Sequence, residues 1–525
     1  MGNKVKNSPN INWKNFFICF AISIGNISFG YPAAIIGTTL SQPGFLVYMG
    51  LETASGKAKN AAALEGAMNG VFQTGALFGI FSSEWVMGRY GRKLGVLYAA
   101  VLSIIGGAFV TASQNVAMFI AFRFVAGAGS GLLQVCPVYC SELSPPFLRG
   151  FFVGVNGILI ASGYALASYM GLAFNSIKDN PEAQWRGPLG MALVFAVIMV
   201  AILPFIPESP RWLLMNGRAE EAWKIIKDIH DNPADPEHEF ARREFYQIRK
   251  QIELDRTLDC SWTQMFRKPS YRKRSLLVIA YAFLGESTAM LVIANYSSVL
   301  YSRFGYNSRE QIALQTGYNT VPIIGNIIGA LVMDKVGRRP LMLGSIAGCL
   351  VFVSVETVMM ALYTGTNHNS NGTYMGVAAL YCFIFFYAVG ADVAGIVFYG
   401  EIFPNHIRAK GFSMAVGTRA LTELVYLEAA STAFANIGWR FFLLFISIMT
   451  IGLVVMYFVL PETKRVPLEE VAAIFGDKDE VVCYLEQLNI DPQTHNSTGN
   501  DGTVNGIVTD REGKPGVQFI ESIRL

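Results

Sequence analysis

The chain has 525 residues, of which 52% are hydrophobic and only 15% are charged, and its formal net charge at pH 7 is +3. Soluble globular domains carry about 25% charged residues, so this composition is that of a protein with lipid as part of its solvent. The small net charge and its scattered residues argue against a nucleic-acid partner.

Long apolar stretches follow one another along the chain. A helix needs about 20 mostly apolar residues to cross the hydrocarbon core of a bilayer. Six such stretches lie near residues 16–36, 66–87, 94–112, 117–141, 150–174 and 188–206. Six more lie near residues 276–301, 314–334, 340–363, 374–400, 411–435 and 441–460. We therefore predict an all-α membrane protein with twelve transmembrane helices.

The positive charges predict the orientation of these helices. Loops on the side of the N-terminus carry more Lys and Arg than loops on the opposite side, and such loops stay in the cytoplasm. The expected order is a cytoplasmic N-terminus at 1–15, a six-helix bundle at 16–206, a cytoplasmic linker with short helices at 207–275, a second six-helix bundle at 276–460 and a largely disordered cytoplasmic tail at 461–525.

Short charged motifs recur in the two halves of the chain. Gly91-Arg92-Lys93 follows the second predicted helix, and Gly337-Arg338-Arg339 follows the eighth. Pro207-Glu208 follows the sixth helix, and Pro461-Glu462 follows the twelfth. This repeat indicates a duplicated six-helix unit, and parallel repeats of this kind are a transporter architecture. Two similar bundles can rock about a site that lies between them.

A glycine-spaced run in the fourth helix adds a more specific signal. It reads Arg123-Phe124-Val125-Ala126-Gly127-Ala128-Gly129-Ser130-Gly131 and precedes Pro137-Val138-Tyr139. Alone, such a run indicates only close packing of helices. With the repeated loop motifs, it closely resembles the sugar porter family of the major facilitator superfamily, up to about residue 471. The resemblance implies the major facilitator fold, two six-helix bundles, in a plasma-membrane carrier of fungal type.

The resemblance also implies gating ion pairs at the cytoplasmic ends of the helices. The arginines of the repeated loop motifs would pair with the motif glutamates while the carrier is open to the outside. These pairs would separate for inward opening. The alternative is that these residues only anchor helix ends and set the topology. The predicted set consists of Arg89, Arg92, Glu142, Arg149, Glu208, Arg211, Asp334, Arg338, Arg339, Glu401, Arg408 and Glu462.

The predicted cavity departs from that of a typical sugar porter. In the family that this chain resembles, typical proton-coupled sugar porters carry an Asp at the position of Pro32. The usual proton-accepting carboxylate is therefore absent here. Most of the amides that contact sugar in the family are also replaced, for example by Gly157 in the fifth helix, and the tenth-helix Trp of the family is replaced by Ile396. The remaining amides that we take as candidate substrate contacts are Asn26, Asn156 and Asn295.

Ionisable residues occupy the middle of three predicted helices. At a rise of about 1.5 Å per residue, Asp392, Arg419 and Glu286 lie about 12–15 Å from their helix ends, where an unpaired charge is expensive. We hypothesise that they share the central cavity, and that Arg419 can also pair with Glu423, four residues on. A desolvated carboxylate there could take up a proton and restore coupling. The alternative is a permanent structural ion pair.

Together these features predict a secondary active transporter of a small polar solute, sugar or polyol, that works by alternating access and is coupled to protons. The alternatives are a carrier of an organic acid, an exporter of a secondary metabolite and, last, a non-transporting nutrient sensor. We expect no enzyme activity, cofactor or metal site. The expected partners of the monomer are its solute, protons and lipid, and Asn371 in Asn371-Gly372-Thr373 is the expected glycosylation site.

Overall fold

The computed structural model describes most of the chain and contains the expected membrane helices. The described residues are 13–53, 56–57, 61–134, 136–144, 149–177, 179–230, 238–255, 261–363, 370–464, 475, 507–509 and 515–517. We number the helical units that correspond to the twelve predicted crossings as spans 1 to 12.

The spans pass in order through two groups of six. In the first group, span 1 comprises Trp13–Ile24 and Ile27–Thr39, span 2 is Ala61–Tyr90, span 3 is Arg92–Thr111, span 4 comprises Val116–Leu133 and Cys136–Leu143, span 5 is Arg149–Asn175 and span 6 is Pro181–Ile202. In the second group, span 7 comprises Pro269–Glu286 and Met290–Arg303, span 8 is Ser308–Val336, span 9 is Arg338–Tyr363, span 10 comprises Ser370–Phe386, Tyr387–Asp392 and Val393–Glu401, span 11 is Asn405–Asn436 and span 12 is Phe441–Val459.

Three of these spans are more polar than ordinary membrane helices. Nine helical units in the described part of the chain are long and apolar enough to cross a membrane, and spans 2, 8 and 11 are not among them. Span 2 packs against span 11, and span 8 packs against span 5. These three spans therefore form the junction between the two bundles, where polar side chains can face a cavity or another helix instead of lipid.

Four spans are interrupted near their centres. Span 1 breaks at Asn26, span 4 breaks at Gln134, and span 7 breaks just after Glu286, where Ala289 has a φ of +71°. Span 10 contains the π-helical turn Tyr387–Asp392. Irregular backbone at membrane depth is tolerated where it lines a cavity or is buried in protein, and π-helical turns are frequent at functional sites. The breaks therefore point to the centre of the molecule as the functional region.

The glycine run of span 4 packs directly on span 2. A Cβ atom added at Gly127 would lie 2.1 Å from the carbonyl oxygen of Phe72, and one added at Gly75 would lie 2.1 Å from that of Phe124. No side chain fits at such a distance, so glycine at these two positions lets the helix backbones touch. This is the close packing that the glycine run indicates.

Gly127→Val is expected to destabilise the protein strongly, because the new side chain would meet the backbone of span 2. Overpacking costs about 1–3 kcal/mol, and a contact with backbone belongs at the upper end of that range. The melting temperature of the purified protein measures the loss. Gly344→Val is the matched control, since no atom lies within 4 Å of a Cβ added at Gly344. An equal loss in both variants would contradict the packing argument.

Short helices occupy the segment between the two bundles. They are Pro210–Met215, Ala219–Ile229, Glu239–Asp255 and Trp262–Arg267. Buried apolar residues of the first three form a small core of their own, and the third also contacts span 11. The predicted disordered tail lies largely outside the described residues; within it, 507–509 and 515–517 pair as antiparallel strands.

Candidate functional site

A small cavity lies between the two bundles. Spans 1, 4 and 5 line it from the first bundle, and spans 7, 8, 10 and 11 line it from the second. Its volume is about 60 Å³. The ionisable acidic and basic residues in its lining are Asp392, Arg419 and Glu423.

Polar contacts join spans 5 and 8 at two levels. Asn319 Nδ2 donates a hydrogen bond to Ser168 Oγ at 2.6 Å, and Asn326 Nδ2 donates one to the carbonyl oxygen of Gly157 at 2.8 Å. The part of span 5 that lines the cavity, residues 160–164, lies between these two contacts along the helix. The two bundles are therefore bonded to each other on either side of this part of span 5.

A buried ion pair joins spans 7 and 11 beside the cavity. Arg419 Nε donates to Glu286 Oε1 at 2.6 Å. The Glu286 side chain is only 1% exposed, whereas that of Arg419 is 20% exposed. The structure thus brings these two sequence-predicted residues together, with the arginine in the cavity lining and Glu286 behind it.

Glu423 lies close to the same ion pair. It lines the cavity with Arg419 and interacts electrostatically with Glu286, whose Oε2 is buried and has no hydrogen-bond partner among the described residues. The four-residue spacing along span 11 had allowed a pair between Arg419 and Glu423. The observed bond of Arg419 is to Glu286, because the break in span 7 brings Glu286 against span 11. Two carboxylates this close repel each other, and a shared proton removes the repulsion.

Asp392 lines the cavity from the π-helical turn of span 10. Asn326 Nδ2 donates to Asp392 Oδ2 at 3.0 Å as well as to Gly157. This amide therefore links span 8 to span 10 in its own bundle and to span 5 in the other bundle. Sequence reasoning missed Asn326, although a lone amide within the apolar run 323–328 is the kind of residue that marks a functional position in a membrane helix.

The three asparagines predicted to contact substrate are bonded within the protein. Asn26 Nδ2 donates to Asn156 Oδ1 at 2.7 Å, and Asn295 Nδ2 donates to the carbonyl oxygen of Leu291 at 3.1 Å. None of the three belongs to the cavity lining, so their contact with substrate stays a prediction. Sequence reasoning missed the cavity amide Asn319.

Arg123 occupies the region where proton-coupled sugar porters have their first-helix carboxylate. Its Nη1 donates to the carbonyl oxygen of Pro32 at 2.8 Å, its Nε donates to that of Met68 at 3.3 Å, and its guanidinium lies 4.5 Å from the ring centre of Phe72. Within the part of the chain that the structure describes, no carboxylate pairs with it. Span 1 therefore has no proton acceptor at Pro32, as the sequence indicated.

The repeated motif of the first half forms one cluster of charges. Arg92 donates to both carboxylate oxygens of Glu142, at 2.9 and 3.0 Å. Glu208 accepts from the backbone N–H groups of Arg92 and Lys93 at 3.0 and 3.2 Å, and Ser209 Oγ donates to Glu142. The cluster ties together the ends of spans 3, 4 and 6.

The second half repeats this arrangement. Arg338 donates to both oxygens of Glu401, at 2.9 and 3.2 Å, and Glu462 accepts from the backbone N–H groups of Arg338 and Arg339. Each of these contacts lies inside a single bundle, so the bundles can separate without breaking it. Contacts of this kind can anchor helix ends, and the expectation that the pairs part for inward opening stays a prediction.

Arg338→Leu is expected to destabilise the second bundle, because it leaves the buried Glu401 carboxylate without its partner. Removing one side of a buried ion pair costs about 3–5 kcal/mol, whereas replacing both sides is often neutral. The double variant Arg338→Leu/Glu401→Leu should therefore regain most of the melting temperature lost by the single variant. A double variant less stable than the single one would contradict an anchoring role.

The remaining residues of the predicted gating set have different surroundings. Arg89 is exposed at the end of span 2, whereas Arg211 and Arg408 are buried. The side chains of Arg149 and Asp334 lie outside the described part of the structure. An exposed arginine such as Arg89 can help to set the membrane orientation. The roles of the other residues stay predictions.

Comparisons with known proteins extend over almost the whole chain. A family model described as "Sugar (and other) transporter" matches residues 18–475. The MFS-type transporter criB of Aspergillus cristatus is 28% identical over 462 residues, which cover 87% of this chain and 92% of the relative. The high-affinity glucose transporter of Kluyveromyces lactis is 27% identical over 523 residues, which cover 93% and 90%.

A solved structure shares the same architecture. The proton:xylose symporter XylE of E. coli, bound to 6-bromo-6-deoxy-D-glucose, is similar with a TM-score of 0.77 at 21% sequence identity. The match covers 89% of this chain and 100% of that one. At this level of identity the likeness shows the fold.

Proposed function

The chain belongs to the family of sugar (and other) transporters, and from this premise we propose that it carries a small polar solute across the plasma membrane together with protons. The family and the major facilitator fold confirm the resemblance read from its motifs. The protein is a multi-pass secondary transporter of the sugar or polyol type, and it works by alternating access. In the proposal it acts as a monomer.

The charges beside the cavity carry the proposal for proton coupling. Among the residues described there, Arg419 is the one cation, and Glu286, Glu423 and Asp392 are three carboxyl groups around it. A buried ionised carboxylate without a partner is costly, so at least one of the three is expected to hold a proton. The contact between Glu286 and Glu423 is the proposed location of that proton.

The same contact suggests how proton binding and solute binding are linked. A proton on the Glu286–Glu423 pair weakens the hold of Glu286 on Arg419, which frees guanidinium N–H groups toward the cavity. A solute hydroxyl can then accept from Arg419. When the proton leaves, Glu286 recaptures the arginine and the solute loses its donor. Proton and solute thereby favour the same state, which is the requirement for symport.

The two contacts between spans 5 and 8 supply the alternating gates. Opening toward one side requires that the Asn319–Ser168 contact breaks, and opening toward the other requires that the Asn326–Gly157 contact breaks. Asn326 also donates a hydrogen bond to Asp392. One of the two gating contacts is therefore bonded directly to a carboxyl group of the cavity. Rocking of the bundles about the cavity would break the two contacts in turn.

Uptake into proteoliposomes tests the proposed function. Purified protein is offered a panel of labelled monosaccharides and polyols, with and without an acidic exterior. At least one solute is expected to accumulate, about tenfold for each pH unit of gradient if one proton moves with one solute. Accumulation that ignores the gradient would contradict proton coupling. Failure of the whole panel to enter would contradict the sugar or polyol class.

The geometry does not favour an organic acid as the solute. In that alternative Arg419 would receive a carboxylate, yet its Nε already bonds to Glu286. Asp392 and Glu423 lie nearby in the cavity lining, so an entering anion would meet like charges. Nothing in the described residues favours the exporter or sensor alternatives over uptake.

The membrane orientation and the glycosylation site are part of the same proposal. With both termini in the cytoplasm, the N-terminal end of span 10 faces outward. Asn371 is exposed in the first helical turn there. Treatment of the protein from a eukaryotic host with an N-glycosidase should shift the wild type but not Asn371→Gln on a gel. A shift in both would place the glycan elsewhere.

A further inference from the structure

The wall of the cavity is mostly apolar. Of the 19 lining residues, 12 have no hydrogen-bonding group in the side chain. Ile384 and Ile396 come from span 10, and Phe412 and Val416 come from span 11, so the second bundle presents an apolar surface next to its charged residues. A solute hydroxyl placed against these four side chains would lose its hydrogen bonds to water without replacement.

Several polar groups of the lining are already bonded inside the protein. Asn319 donates to Ser168, Arg419 Nε donates to Glu286, and one oxygen of Asp392 accepts from Asn326. The cavity can therefore satisfy only a few hydroxyl groups.

Two tyrosines of the lining supply further polar groups. Tyr164 of span 5 and Tyr318 of span 8 both belong to the cavity lining. Tyr318 is fully buried there, and its hydroxyl has no partner among the described residues. An unbonded hydroxyl of this kind costs free energy in the empty carrier and can accept a partner from the solute. A solute with a few hydroxyl groups would fit this lining.

We propose, on the basis of the transport function above, that the substrate is an uncharged polyol with only a few hydroxyl groups, and that its unhydroxylated part lies against the apolar wall. A fully hydroxylated ring would leave hydroxyls against the isoleucine and valine wall, at a loss of roughly tenfold in affinity for each. A carboxylated ring would bring a further negative charge to a site whose one described cation, Arg419, already pairs with Glu286.

Three six-membered rings that differ only in their polar groups test this proposal. They are a cyclohexanetriol with adjacent hydroxyls, inositol with a hydroxyl on every carbon, and the triol with an added carboxylate. Binding to the purified full chain is measured by the shift in melting temperature. The triol is expected to bind at least about tenfold more tightly than inositol, and the carboxylated triol is expected not to bind. Tighter binding of inositol or of the carboxylate, or no binding of any ring, overturns the proposal.

A paired variant tests whether the apolar wall sets this preference. Ile396→Asn places an amide in the wall and should narrow the gap between triol and inositol by about tenfold. Ile324→Asn is the control, because Ile324 is 56% exposed on the outside of span 8 and does not line the cavity. An unchanged gap in Ile396→Asn counts against the proposal. If the triol binds as expected but no ring enters proteoliposomes, the transport function fails while the substrate class stands.

Discussion

Glu423→Gln is expected to abolish accumulation of the solute driven by a pH gradient, while exchange of solute across the membrane continues. Glutamine keeps the shape of the protonated acid and donates a hydrogen bond to Glu286, but it cannot release a proton. A gradient of one pH unit should give about tenfold accumulation in the wild type and none in the variant. Accumulation and counterflow in the same vesicles measure the two activities.

Glu428→Gln is the matched control for this prediction. Glu428 lies in the same span but is exposed, and it does not belong to the cavity lining. This variant should accumulate solute as the wild type does. Normal accumulation by Glu423→Gln would show that the proton binds elsewhere.

Arg419→Leu is expected to lower both accumulation and exchange by at least about 100-fold. The change leaves the buried Glu286 without its cation, at a cost of about 3–5 kcal/mol, and it removes the donor proposed for the solute. Arg419→Lys should recover little, because the point charge of lysine cannot replace the fork of N–H groups between Glu286 and the cavity. Initial rates of counterflow measure the loss.

A second substitution separates transport from stability. Arg419→Leu/Glu286→Leu removes both partners and should regain melting temperature without regaining exchange. Recovery of exchange in this double variant, or wild-type kinetics in Arg419→Leu, would reduce the pair to a structural contact between spans 7 and 11.

The fold could be predicted from the sequence because membrane crossings are long and apolar. Even spans 2, 8 and 11, which fail a strict hydropathy test, could be recognised as long, largely apolar stretches. The breaks were not predicted. Neither the left-handed Ala289 nor the π-helical turn Tyr387–Asp392 has a local signal as strong as proline. Packing around the cavity, and not propensity, sets these irregular turns.

The site could be predicted only as a set of residues. The rise per residue placed Glu286, Asp392 and Arg419 at a similar depth, and the structure gathers them at one cavity or directly behind it. Which carboxylate bonds to Arg419 depends on the direction that Glu286 takes at the end of its helix, which spacing along span 11 does not contain. The hydrogen bond of Asn26 could not be predicted for the same reason, because its partner Asn156 lies in another span.

The charged loop motifs show the complementary case. Their sequences identified the arginines and glutamates of two clusters, and the structure pairs them, for example Arg92 with Glu142 and Arg338 with Glu401. The motif spacing did not show that each pair closes within its own bundle. Whether these pairs gate the carrier or anchor each bundle therefore stays a prediction, which the Arg338 and Glu401 variants test.

The most direct measurement is the infrared difference spectrum between acidic and neutral pH for the purified carrier. A carboxylic acid carbonyl band is expected to appear at acidic pH in the wild type and to be lost in Glu423→Gln and in Glu286→Gln, because the two residues share one proton. The band should persist in Glu428→Gln. Absence of the band in the wild type, or its persistence in both cavity variants, would contradict proton binding at this pair.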